Sequence, residues 1–165
     1  MMNTQSKSLL LIVSLSALAS VSCGPPNVAG NYVGTATNGD NGCAIANWNV
    51  GAMYPNIHLS VMQSMMDVTG TIDGPVNVLL GSFTSNNDML RGVVNGNGFI
   101  LRRPGVAPMT RGNCNYTTSV DIEATVSGNA VTGQVLYHYT TNNMSDCAEL
   151  RTCRSVQQLA FMRVQ

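Results

Sequence analysis

From residue 28 onward, apolar and polar side chains alternate in short runs closed by Gly, Asn and Asp. A period of two puts one set of side chains on each face of an extended chain, so each run reads as a half-buried strand. Strands are predicted at residues 29–37, 56–63, 67–73, 76–84, 89–95, 98–103, 116–126, 130–140 and 156–164. The inward sets are Ile57, Leu59 and Val61; Val68, Gly70 and Ile72; Val120, Ile122, Ala124 and Val126; and Val131, Gly133, Val135, Tyr137 and Tyr139. Asn95-Gly96-Asn97-Gly98 and Ser127-Gly128-Asn129 offer the positive φ that tight hairpins require, so neighbouring strands pair in order. No ten-residue window beyond residue 22 sustains a 3.6-residue period, which confines any helix to a short piece at 44–54 or 146–154. The fold class is all-β: an antiparallel up-and-down barrel of about eight strands, with a β-sandwich as the alternative. Glycines inside the strands favour the barrel, because they relieve crowding where a sheet bends to close.

The first 22 residues break this pattern. MMNTQSKS carries the single charge Lys7, residues 9–19 (LLLIVSLSALA) are apolar, and small residues follow. That run is shorter than the ~20 residues that span a bilayer, so it reads as an export signal. Ala17-Leu18-Ala19 offers a small-x-small cut, while Ser20-Val21-Ser22-Cys23 resembles the bacterial lipobox, with Ser20 where that pattern has Leu. The resemblance implies a diacylglyceryl group on the Cys23 sulfur. Cysteine parity points the same way, because five cysteines leave one unpaired in an oxidising compartment. With Cys23 lipidated, Cys43, Cys114, Cys147 and Cys153 remain and pair completely. Of their three pairings, the simplest staples Cys147 to Cys153 across a short connection and joins Cys43 to Cys114.

The domain reading is then 1–22 signal peptide, 23–27 lipid-anchored Cys and Pro-rich tether, and 28–165 one barrel domain, a length that suits a single core. Gly24-Pro25-Pro26-Asn27 favours an extended, stiff course. The expected location is the bacterial envelope, anchored in the outer membrane, or a secreted or periplasmic soluble form if the cut falls near Ala19.

Charge narrows the partners. The chain balances 8 Lys and Arg against 8 Asp and Glu, and the leader takes the only Lys with it. No basic footprint for nucleic acid or a polybasic membrane patch exists in this sequence. Arg102-Arg103, the densest pair, reads as a solvated strand end. The partners expected are the membrane, through the lipid on Cys23, and a small apolar ligand; a protein partner is unspecified.

At Gly30-Asn31-Tyr32 the first strand resembles the Gly-x-Trp opening of the lipocalin and avidin-like barrels, with Tyr for Trp. Arg163, in the last strand LAFMRV, is similar to the Arg that packs across that aromatic and closes one barrel end in those families. The resemblance implies Tyr32 facing inward under Arg163, and an interior that either fills with side chains or holds one small ligand. Tyr32, Phe99, Tyr137 and Phe161 are the candidate lining. Trp48, Met53 and Tyr54 are candidates at a mouth formed by residues 44–55.

Catalytic chemistry finds little support. His58 and His138 alternate with apolar or aromatic neighbours and are read as solvent-facing, as are Asp121 and Glu123. Met62, Met65 and Met66 resemble the M-x-x-M clusters that bind Cu(I), but a strand end is also where Met fills core gaps, and the latter reading is preferred. The Gly-x-Ser-x-Gly, HExxH and phosphate-loop patterns do not occur. The chain is read as a non-enzyme without cofactor or metal: a small-ligand-binding envelope lipoprotein, or alternatively a structural or protein-interaction lipoprotein with a solid core.

Overall fold

A computed structural model describes residues 24–84, 89–105 and 108–164. The leader and Cys23 lie outside the described residues. The elements run β1 (Gly30–Asn41), β2 (Met53–Ser64), β3 (Asp67–Ile72), α1 (Gly74–Phe83), β4 (Leu90–Asn95), β5 (Gly98–Pro104), β6 (Met109–Arg111), β7 (Cys114–Ser127), β8 (Ala130–Thr141), a 3-10 turn (Ser145–Cys147), α2 (Ala148–Thr152) and β9 (Ser155–Val164). All pairings are antiparallel. β1 lies between β2 and β9, and β5 pairs with β7, which closes eight strands into a barrel. Short β6 stands outside that ring on the edge of β7. Closure rules out the sandwich.

The alternation read from the sequence sets which face is buried. Ile57, Leu59, Val61, Val68, Ile72, Val120, Ile122, Val131, Val135 and Tyr137 all lie in the core. At Gly133 a Cβ would overlap the Glu123 carbonyl of the neighbouring strand, so the close approach there needs glycine.

The two barrel ends differ. At one end the hairpins are tight, turning at Met65-Met66, Gly96-Asn97 and Gly128-Asn129. Val28 plugs this end: it is fully buried, its N–H donates to Gln63 Oε1 at 2.8 Å, and its carbonyl accepts Tyr32 Oη–H at 2.8 Å. The Arg163 guanidinium lies 5.3 Å from the Tyr32 ring centroid and donates from Nη2 to Tyr32 Oη at 2.8 Å. The expected closure of Arg over the first-strand aromatic is therefore present. A Cβ on Gly30 would sit 2.9 Å from Arg163 Nε, so glycine there leaves room for the guanidinium. We call this the hairpin end.

The opposite end, the mouth, carries the long connections, both helices and both disulfides. Three expectations are corrected here. Residues 76–84 form helix α1, not a strand. Val76 and Leu80 are buried, with Leu79 and Phe83 partly buried beside them, a stripe at helical spacing that follows Pro75 in the first turn. Residues 44–54 contain no helix; left-handed backbone at Ala44 and Asn47 makes 44–52 an irregular loop and β2 begins at Met53, while the other predicted site does hold α2. The disulfides join Cys43 to Cys153 and Cys114 to Cys147. Strand register explains the pairing: Asn41 is opposite Ser155 on β9, so Cys43, two residues beyond, meets Cys153, two residues before. Cys114 opens β7 beside the turn that holds Cys147, where the Asn113 N–H donates to Asp146 Oδ2 at 2.9 Å. Two disulfides point toward an oxidising, extracytoplasmic compartment, where such bridges persist.

Candidate functional site

The inward series of β1 runs Tyr32, Gly34, Ala36 and ends in Asn38; that of β9 begins Ser155, Gln157 before Leu159 and Phe161. The upper layer of the barrel is therefore polar where the lower layers are apolar. Gln157 Nε2 donates to Asn38 Oδ1 at 2.8 Å, and Tyr137 Oη donates to Gln157 Oε1 at 2.7 Å. Asn38 Nδ2 in turn donates to the Asn49 carbonyl at 3.2 Å and reaches Tyr54 Oη at 3.4 Å. The buried amides thus satisfy one another, as groups shielded from water must.

The loop between β1 and β2 is held over this layer. The Asn41 side chain bonds both the N–H and the carbonyl of Ile45, and Trp48 Nε1 donates to the Gly39 carbonyl at 2.9 Å. Trp48 and Phe83 each meet the Tyr137 ring edge-on at 5.6 Å, so the β1–β2 loop and α1 converge on one buried tyrosine. Burial pushes the Tyr137 hydroxyl far above the ordinary tyrosine range, with Tyr54 adding to the effect. It acts as a neutral donor and not as a base. Tyr139, against Phe83 and Tyr116, is also raised, first by burial and then by Tyr116.

Between the loop and α1 lies a cleft of about 250 Å³, walled by Trp48, Tyr54, Pro75, Val78 and Leu79, with Asn38 and Gln157 at its floor. Its chemistry is apolar walls over amides whose hydrogen bonds are already made. Ligand sites usually begin at about 300 Å³, so this one suits only a small or partly inserted group.

The candidate lining residues do not converge. Trp48 and Tyr137 meet at the mouth, whereas Tyr32 is at the hairpin end and Phe99 and Phe161 lie in the lower barrel. All four inward aromatics are buried. Phe99 borders a shallow outer groove of about 560 Å³, with Ile100, Glu123, Gln134 and Gln158. Met53 is exposed. Asn38, Gln157 and α1 were missed by sequence reasoning. Asn38 continues the inward parity of β1 one step past the predicted boundary and Gln157 falls on the inward parity of the predicted last strand, and that parity was the available signal.

The outer face carries the remaining candidates. Asp121 stands between two basic side chains, with Arg102 Nε 3.6 Å from Oδ1 and His138 Nε2 3.4 Å from Oδ2. His138 is thus half-buried beside the Asp121 carboxylate, not simply solvated, whereas His58 is exposed. Ser119 Oγ bonds Thr140 Oγ1 at 2.9 Å, so the nearby hydroxyl is engaged elsewhere and no nucleophile–His pair forms there. Glu123 accepts from Gln134 Nε2 at 3.1 Å, outside the barrel as expected. Arg103 corrects the solvated-pair reading: Arg102 points out, but Arg103 is buried, with Nη1 at 3.5 Å from Asn77 Oδ1 of α1. Met62, Met65 and Met66 are all exposed and fill no core gap, which corrects that expectation too. Comparison with known proteins found no match for this chain: no family model, no curated protein and no solved structure.

Proposed function

We propose that the chain is a lipid-anchored protein of the bacterial envelope, held through Cys23, and that it works through its surface and not through catalysis. The supporting observation is the packed interior. Tyr32, Phe99, Tyr137 and Phe161 are buried in one core, and the upper layer is occupied by the bonded Asn38–Gln157–Tyr137 series. A barrel of eight strands is just wide enough for side chains to fill it, and these side chains fill it. The favoured reading is a structural or protein-interaction lipoprotein with a rigid, disulfide-stapled body. Outer-membrane location is part of the same proposal.

A second reading keeps the small-ligand function and moves it from the barrel interior to the mouth, on the strength of the Trp48–Tyr54–α1 cleft. Native mass spectrometry of the protein extracted from its own host separates the two. The favoured reading expects a single species at the mass of the lipidated chain. A retained small-molecule adduct that disappears in a Trp48→Ala variant would establish the mouth as a binding site and overturn the favoured reading.

A further inference from the structure

We infer that the hairpin end is a membrane-contact face, and that the exposed methionines around it seat the barrel on the lipid bilayer surface. The inference rests on the anchor reading of Cys23 and adds to it an orientation and a second point of attachment.

Three observations converge. The first is where the chain leaves the barrel. The Pro26 carbonyl accepts Gln63 Nε2 at 3.1 Å and the Asn27 carbonyl accepts Arg163 Nη2 at 3.4 Å, so the tether is already tied to the hairpin end at those residues. Only Gly24 and Pro25 separate Pro26 from Cys23. Three extended residue steps reach about 11 Å, so a lipid on Cys23 holds this end, and no other, against the bilayer.

The second is the distribution of apolar side chains. Met65 is 78% exposed at the β2–β3 turn, with Met66 and outward Met62 beside it; Val93 lies across β3 from them, opposite Asp67. Met162 and Val164 project from the last turns of β9 on the other side of β1. Exposed apolar side chains such as Val50, Met53, Val78 and Met144 occur at the mouth as well, but Met62, Met65 and Met66 stand together on one hairpin beside the tether, and flexible thioethers adapt to a fluid surface.

The third is charge. Asp40, Asp73, Arg111, Asp146, Glu149, Arg151 and Arg154 all belong to the mouth end, whereas Asp67 and Arg163 are the charged groups at the hairpin rim among the described residues. Arg163 is engaged with Tyr32. With Arg163 paired, Asp67 is the charge that stays at the hydrated headgroup level, while the charge-rich mouth faces water.

The methionines themselves are the probes. The full acylated chain, reconstituted in phosphatidylethanolamine–phosphatidylglycerol vesicles, is treated briefly with chloramine-T, and sulfoxide formation is mapped by peptide mass spectrometry. Met53 and Met144 at the mouth serve as internal references, since both are exposed and far from the tether. Met62, Met65, Met66 and Met162 are expected to oxidise about tenfold more slowly relative to those references than they do in the acyl-free Cys23→Ser chain in solution. Equal rates in a chain with confirmed acyl mass on Cys23 would overturn the seating while leaving the anchor intact. Absence of acyl mass would overturn the anchor, and the orientation with it. Protection of the same methionines in the acyl-free chain, accompanied by a doubled mass in light scattering, would assign the face to a second copy instead of lipid.

Discussion

Gln157 is the side chain on which the upper barrel layer depends. Replacing it with Leu roughly keeps the volume and removes the amide, donor and acceptor together. Tyr137 Oη then loses its acceptor and Asn38 Oδ1 loses its donor, in a site where Gln157 is 1% and Asn38 3% exposed. Each orphaned buried polar group costs about 1–3 kcal/mol, so the substitution is expected to destabilise the fold by roughly 2–5 kcal/mol. At a urea dependence of about 1–3 kcal/mol per molar, the unfolding midpoint falls by roughly 1–3 M. Tyr137→Phe orphans only Gln157 Oε1 and keeps the ring contacts with Trp48 and Phe83, so about 1–3 kcal/mol is expected. In the double variant neither the Tyr137 hydroxyl nor the Gln157 amide is present and only Asn38 Oδ1 stays orphaned, so the two costs should fall short of additivity by at least about 2 kcal/mol. Equilibrium urea unfolding of the Cys23→Ser chain, followed by Trp48 fluorescence, measures all three. Additive effects, or a Gln157→Leu cost below about 1 kcal/mol, would mean that water reaches these amides and that the layer is not packed shut.

Three further outcomes follow from the same packing. Because the folded value of the Tyr137 hydroxyl is raised, its contribution is intact below about pH 10, where the unfolded tyrosine is still protonated, and is lost as pH rises above it. Alkaline circular dichroism should show stability declining beyond that point, and less steeply in Tyr137→Phe. The Cys43–Cys153 bridge closes a sequence separation of 110 and Cys114–Cys147 one of 33, so paired Ser substitutions should cost about 5 and about 4 kcal/mol respectively in urea unfolding. Non-reducing peptide mapping that linked Cys147 to Cys153 would reject the register behind both figures. Arg163→Ala removes the cation over Tyr32 and a charge-assisted bond to its hydroxyl, and a loss of about 1–3 kcal/mol is expected by the same assay, with Arg163→Lys recovering only part of it.

The strands were readable because a half-buried strand writes its inward face into every second residue, and Ile57 to Val61 or Val120 to Ala124 show that period cleanly. Helix α1 was missed for a physical reason. Val76, Val78 and Leu80 also satisfy a period of two, with polar Asn77 between them, and the run resembles a strand until Gly74-Pro75 is weighed as a helix start. The cysteine pairing was illegible for another reason. The shortest loop looks simplest along the chain, but β1–β9 register places Cys43 against Cys153, and α2 carries Cys147 away from Cys153 toward Cys114. Tyr32 with Arg163 was legible from two short motifs at the chain's ends. The polar mouth layer was not, since Asn38 looks like a loop residue until β1 is known to extend that far, and a polar Gln157 in a strand reads as solvent-facing until its amide partner is known.

Lipid attachment at Cys23 is tested most directly by intact-mass spectrometry of the membrane fraction from the native host, beside a Cys23→Ser control. The expected result is a mature chain that begins at Cys23, carries acyl mass, and leaves the membrane fraction when Cys23 is replaced. A chain that begins at Ser20, carries no acyl mass and is found in the soluble fraction would contradict it.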